Sequence, residues 1–274
     1  MKAGKLHYGW VVIFMGLLTT IAAHGFGRMS YTVILPAMKD GLGFSNTYMG
    51  LLGTANFIGY LAMAIIGGFL AAHFGTRMVI TAALVLMGIT MILTGMARSF
   101  GFAFAMRLLT GLGNGAAYVP AMALGSAWFA ARQRGFATGI VSAGIGLGLM
   151  IASLGVTRIL AILGPNGWRL SWYILGGAVL LISVVVHQFV RNRPEEKGLQ
   201  QVGEDQIPAT ASGPVNTDKV SSLKWIHVIK MGAVWYLGVV YFFYGLSYVI
   251  YLTFFKEYLI MISIITNKTM TIMT

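Results

Sequence analysis

The sequence predicts an all-α, polytopic membrane protein, and three observations carry that prediction. Hydrophobic residues fill 57% of the 274 positions, charged residues only 9%, and the mean hydropathy is +0.79. That balance leaves too little polar surface to cover a water-soluble domain of this length. The apolar residues also come in runs of about 20 or more, the length that crosses a hydrocarbon core as a helix. Short gaps rich in glycine, proline or charge separate the runs.

Spans are expected at 8–36, 47–72, 77–97, 100–129, 136–162, 170–190 and 229–255. The first comes after Lys2 and Lys5, opens with Tyr8-Gly9-Trp10 and stays apolar past Arg28 to Leu35, too long for the apolar stretch of a secretory signal. Lys39-Asp40-Gly41 closes it, and His73-Phe74-Gly75-Thr76-Arg77 closes the second. Arg98-Ser99 ends the third span and Ala131-Arg132-Gln133-Arg134-Gly135 the fourth. The fifth stops at the turn sequence Gly164-Pro165-Asn166-Gly167, and the sixth at Arg191. Residues 191–228 hold most of the acids together with Pro194, Pro208 and Pro214, and read as a solvated linker. The expected organisation is therefore a transmembrane half at 1–190, a cytoplasmic linker at 191–228, and a further helix with a short tail at 229–274. From Met261 the tail loses glycine, aromatic residues and turn chemistry. It reads as the product of a frameshift or truncation, with a frayed natural end as the alternative.

Charge reflects topology rather than a partner. The net charge of +12 would suggest nucleic acid in a soluble protein, but here the basic residues sit in the gaps between apolar runs, so no nucleic acid is expected. With the N-terminus inside, the inner set is Lys2, Lys5, Arg77, Arg132, Arg134, Arg191, Arg193, Lys197, Lys219, Lys224 and Lys230. The outer set is only Lys39, Arg98, Arg169, Lys256 and Lys268, which favours a cytoplasmic N-terminus in a multi-pass protein of the inner (plasma) membrane. Cysteine is absent, which removes disulfides, thiolate catalysis and cysteine-ligated metals. With no metal cluster, nucleophile–base pairing or acidic dyad in view, no enzyme, metal or cofactor is expected.

Chemistry concentrates in ionisable and polar residues inside the spans, which are functional candidates by default. Arg28, Arg107 and Arg158 lie in apolar runs, while all seven acids lie outside them. The imbalance points to an anionic ligand. In the first span His24, Arg28 and Tyr31 share a helical face; in the fourth, Arg107, Gly111, Asn114 and Tyr118 do so. Arg158 falls near the end of its span and reads as interfacial. Gly111 and Gly115, like Gly144 and Gly148, read as close-packing positions for a neighbouring helix. The second span offers Asn56 and Tyr60, and the seventh carries Tyr241, Tyr244, Tyr248 and Tyr251, with Tyr244 and Tyr248 near mid-span as a cavity wall.

Five stretches together resemble the major facilitator superfamily of secondary transporters. Gly68 through Arg77 is similar to its signature between the second and third helices, with Gly68, Gly75 and Arg77 matching. Ala72 stands where the family has an acid and His73 where it has arginine, so the charge-relay latch of that loop lacks its carboxylate. Arg107 through Gly115 resembles the arginine-and-glycine signature of the fourth helix. Tyr8-Gly9-Trp10, Trp128-Phe129 ahead of Arg132, Arg134 and Gly135, and Gly167-Trp168-Arg169 resemble, with Arg191 through Leu199, the branch of monocarboxylate carriers and oxalate/formate exchangers.

The resemblance implies a twelve-helix carrier of two six-helix halves, each built from inverted three-helix repeats, working by alternating access around a site near the midplane. This chain would hold the N-terminal half and one further helix. Gly25-Phe26-Gly27-Arg28 with Tyr31 and Pro36 faintly echoes Gly111-Leu112-Gly113-Asn114 with Tyr118 and Pro120 in the fourth helix, its counterpart in such a repeat. The cargo implied is a small organic anion, a carboxylate above all, held by Arg28 with His24, Tyr31, Asn114, Tyr118, Tyr244 and Tyr248. Gly68, Gly75, Arg77, Arg107, Gly111 and Gly115 would serve motif and gating roles. Arginine suits a carboxylate because its fork offers two charge-assisted hydrogen bonds. Coupling could use a proton, with His24 as the titrating group, or a counter-anion. Two rivals remain open: an exporter of neutral or cationic compounds, and a non-transporting fragment.

Overall fold

The computed structural model describes residues 7–203, 231–244 and 247. The chain divides into two compact units, Met1–Pro208 and Ala209–Thr274. The first unit is a bundle of six long helices: α1 (Tyr8–Leu42), α2 (Asn46–Phe74), α3 (Thr76–Gly95), α4 (Phe100–Trp128), α5 (Ala131–Leu163) and α6 (Gly167–Phe189). In the second unit α7 (Gly232–Tyr244) is the described part of the seventh expected span, whose remainder to residue 255 lies outside the described residues, Ser247 apart.

Two boundaries differ from the sequence reading. Lys39, Asp40 and Gly41 are not a gap but the last turn of α1, because Gly43, at φ +65°, closes the helix instead. There the Gly43 and Phe44 amides donate to the carbonyls of Asp40 and Lys39, an ending that a left-handed residue permits. Arg132, Arg134 and Gly135 likewise belong to the first turns of α5. The break falls at Phe129 and Ala130, held extended by pairing with Val202: the Ala130 amide donates to Val202 and the Val202 amide to Trp128.

The pairing of helices explains the glycines. α4 lies against α2, where a Cβ on Gly111 would strike the Asn56 carbonyl and one on Gly115 the Tyr60 carbonyl; from the other side Gly59 abuts the Leu108 carbonyl. α1 lies against α5 in the same manner, with Gly144 on Thr20 and Gly148 on Gly25. α3 lies against α6 through Gly88 and Gly176, where a Cβ on either would come within 2.8–2.9 Å of the other's carbonyl. If α1–α3 and α4–α6 are equivalent repeats, the α2/α4 contact maps onto the α5/α1 contact and α3/α6 onto itself. Association inside a bilayer depends on such close packing, since lipid tails are as apolar as leucine.

α4 buries a polar face. Five of the six are long and apolar enough to cross a membrane by length and composition, and α4 is the exception. The reason is placement: Arg107, Thr110 and Asn114, with Gly111, Gly113, Gly115, Ala116 and Ala117, face protein rather than lipid.

The seams predict a contrast. Gly111→Val should destabilise the protein by about 1–3 kcal/mol, the usual cost of overpacking, read as a lower melting temperature in detergent. Gly139→Ala, inside α5 with open space for its methyl group, should not lower the melting temperature and should raise it slightly, since alanine favours a helix over glycine by about 0.5–1 kcal/mol.

Candidate functional site

The site grows from the middle of α1. Between Ile21 and Met29 the helix widens to i→i+5 hydrogen bonding, ending with the Ser30 amide donating to Gly25. This π-helical form is rare and frequently falls at functional sites. Gly25 and Gly27 allow it to sit close to its neighbours, the first on Gly148 and the second on Met87. Two carbonyls of the segment receive side chains from α4: Asn114 Nδ2 donates to Ala23 (2.9 Å) and Arg107 Nη1 to Gly27 (3.0 Å).

Arg107 is 1% exposed, a cation wholly inside the bundle. Its guanidinium lies over the rings of Tyr31 (4.6 Å) and Trp172 (5.3 Å), and its own carbonyl accepts from Asn56 Nδ2. Tyr31 is equally committed, donating its hydroxyl to the Met49 carbonyl at 2.6 Å. Among the described residues, four buried polar atoms have no protein partner: Arg107 Nε, Trp172 Nε1, Asn114 Oδ1 and His24 Nδ1.

One turn of α1 away, a second group forms. Arg28 is half-buried, with its guanidinium 4.0 Å from the Phe57 ring centre and 5.1 Å from that of Tyr60. His24 is buried between Tyr118 (ring centres 4.2 Å apart) and Tyr60 (5.6 Å). Arg28, His24, Tyr60, Phe57 and Tyr118 thus make one cationic, aromatic patch. Between Tyr8 and Phe189 the only acid is Asp40, in the last turn of α1.

The structure therefore brings together His24, Arg28 and Tyr118, and separately Tyr31 with Arg107. Asn114 faces the α1 backbone. Arg158 is exposed on α5. Tyr244 is exposed in the second unit, and Tyr248 lies outside the described residues. Phe57 and Trp172 were not anticipated. Phe57 lies three residues from Tyr60, a spacing that could have flagged it, whereas nothing in the spacing of Trp172 points to Arg107.

The remaining signature residues build the end of the bundle where α1 starts. Gly75, at φ +84°, turns the chain from α2 to α3 beside Asn192. The Arg77 amide donates to Asn192 Oδ1 (2.9 Å), its Nε–H to the His187 carbonyl (2.7 Å), and the Asn192 amide to Glu196. Gly68 faces open space and lines, with His73, Asn192 and Glu196, a cavity of about 610 Å³. Tyr8 donates to the Phe189 carbonyl under Lys197, and Trp128 Nε1 to the Arg191 carbonyl. Residues 191–203 are thus docked on the bundle, not a free linker. At the opposite end Arg169 donates to the carbonyls of Gly95 and Ala97, closing α3.

Known proteins resemble this chain in sequence and in fold. The sequence profile of the Major Facilitator Superfamily matches residues 17–267. The "Probable sulfoacetate transporter" of Cupriavidus necator is 28% identical over 232 residues, covering 85% of this chain and 53% of that protein. The 3-(3-hydroxy-phenyl)propionate transporter of Escherichia coli is 30% identical over 220 residues, covering 79% and 52%. The chain spans about half the length of the relatives it matches. A bacterial homolog of the human lysosomal transporter Spinster, in an inward-facing crystal structure, shares the fold with a TM-score of 0.60 at 21% identity, over 70% of this chain and 45% of that one.

Because its hydroxyl is the partner of a buried carbonyl, Tyr31→Phe should cost about 1 kcal/mol, visible as a lower denaturation midpoint in detergent. An unchanged midpoint would mean that the Met49 carbonyl is satisfied some other way.

Proposed function

Since the chain belongs to the Major Facilitator Superfamily, we propose that its six-helix unit is the N-terminal half of a secondary transporter that carries a small organic anion, a carboxylate in the first instance. The observation that carries this reading is the Arg28 patch: a half-buried arginine on an aromatic bed, in a bundle whose six long helices hold a single, terminal acid. A guanidinium in a low-dielectric setting favours an ionised partner strongly, and a carboxylate matches its fork. The names of the relatives, among them transporters of sulfoacetate, hexuronate and phosphoglycerate, support an anion as cargo.

The roles divide by exposure. Arg28 is the anion-binding group, Tyr60 and Tyr118 supply ring faces and hydroxyls beside it, and His24 is the imidazole packed among them. Coupling runs either by a proton held at His24 or by exchange against a second anion, which needs no titrating group in this half. Gly68, Gly75 and Arg77 shape the α2–α3 corner. The distribution of Lys and Arg supports a cytoplasmic N-terminus.

In a carrier that joins this unit to a second half, Arg28→Ala should raise the half-saturating anion concentration by about 10- to 100-fold, the weight of a charge-assisted hydrogen bond. Arg28→Lys should fall between, keeping the charge and losing the fork. Initial uptake rates against concentration measure both. Normal affinity in Arg28→Ala would remove this residue from the site.

A further inference from the structure

Resting on the reading that Arg28 meets the anion, we infer that Arg107 and Asn114 are positioning residues that act on it through the backbone of α1, by holding residues 21–29 in the π-helical register.

Both side chains are turned from α4 onto α1. Both are buried to 1% exposure or less. Both commit a donor to a carbonyl of the widened segment, Ala23 for Asn114 and Gly27 for Arg107. Those carbonyls lie just before His24 and just before Arg28, so the clamp closes at two points along the stretch that carries the anion-binding groups. A π-helix packs its own backbone less well than an α-helix and persists where outside contacts favour it. The contacts here are the two α4 donors, the Gly148 surface under Gly25 and the Met87 side chain over Gly27.

Register decides where Arg28 lies. Relaxing the segment to α-helical bonding shifts the pairing of each amide by one residue and rotates the C-terminal remainder of α1 by about 100° per residue gained. Arg28 would then leave the face of Phe57 and Tyr60. Asn114 thus fixes the position of the cation and makes no contact with the cargo, and Arg107 holds the same row of carbonyls while sitting on Tyr31 and Trp172.

Cysteine cross-linking in the 274-residue chain, in membranes, tests this without any transport measurement, and the chain's lack of cysteine gives a clean background. Arg28→Cys with Phe57→Cys reports the register. Trp10→Cys with Phe136→Cys, whose native rings are 6.1 Å apart where α1 meets α5, reports the fold. A short thiol-to-thiol reagent should join the 28–57 pair. Asn114→Leu, close in volume but without a donor, should slow that reaction by about fivefold or more, the effect of one net hydrogen bond on a two-state balance, and leave the 10–136 pair unchanged. Arg107→Met should act likewise, while Arg107→Lys, which keeps a donor, should restore the 28–57 rate. Undiminished 28–57 cross-linking in Asn114→Leu overturns the inference, and so does a failure of Arg107→Lys to restore a rate that Arg107→Met lowered. If Arg107→Met also loses the 10–136 pair, Asn114→Leu decides alone. The result stands whether or not the cargo is an anion, so a failure here and a failure of the anion reading are separate events.

Discussion

Positive charge buried without a carboxylate governs this bundle. Arg107 is enclosed on every side, and the unit provides only Asp40, at the far end of α1, as an acid between Tyr8 and Phe189. A cation in such a medium costs several kcal/mol unless dipoles and ring faces replace its water. The Gly27 carbonyl, Tyr31 and Trp172 do so for Arg107. For that, α4 must run through the middle of the unit and α1 must present a carbonyl toward it, which ties the widened segment of α1 to the polar face of α4. Arg28 sits in the same unit but is only half-buried, on the rings of Phe57 and Tyr60.

Glycine makes the arrangement possible. While Arg107 and Asn114 donate to α1, α4 is wedged against α2 at Gly59, Gly111 and Gly115, and α1 against α5 at Gly25, Gly144 and Gly148. Because these seams bring backbone onto backbone, they fix helix positions more tightly than interleaved leucines would. The docked segment 191–203 finishes the opposite task at the end where α1 begins, covering the α4–α5 break through Val202 and the α2–α3 corner through Asn192.

Much of the fold was legible in the sequence because hydrocarbon imposes length: each apolar run of 20 or more had to be a helix. Glycine spacing at 111 and 115 and at 144 and 148 announced two of the three seams. The third, Gly88 with Gly176, joins single glycines on two helices and has no internal spacing to read. Residues 191–203 look solvated in composition, yet backbone pairing at Val202 depends on partners about 70 residues earlier and leaves no local trace. The widened turn at 21–29 was invisible for a similar reason. A 3.6-residue period puts His24, Arg28 and Tyr31 on one face, and the structure does send all three toward α2 and α4. Tyr31, however, is committed to Met49 and Arg107, while His24 and Arg28 face Tyr60 and its neighbours.

Charge selectivity tests the central claim most directly. A purified carrier containing this unit, loaded with a radiolabelled carboxylate that it binds, is challenged with the same compound unlabelled and with its neutral amide, nearly equal in size and shape. If buried guanidinium selects a counter-charge, the carboxylate displaces the label and the amide fails to do so at about 100-fold higher concentration, the weight of a charged hydrogen-bonded pair in a low-dielectric site. Equal displacement by the amide would contradict the claim and leave shape and ring contacts, not charge, as the basis of recognition.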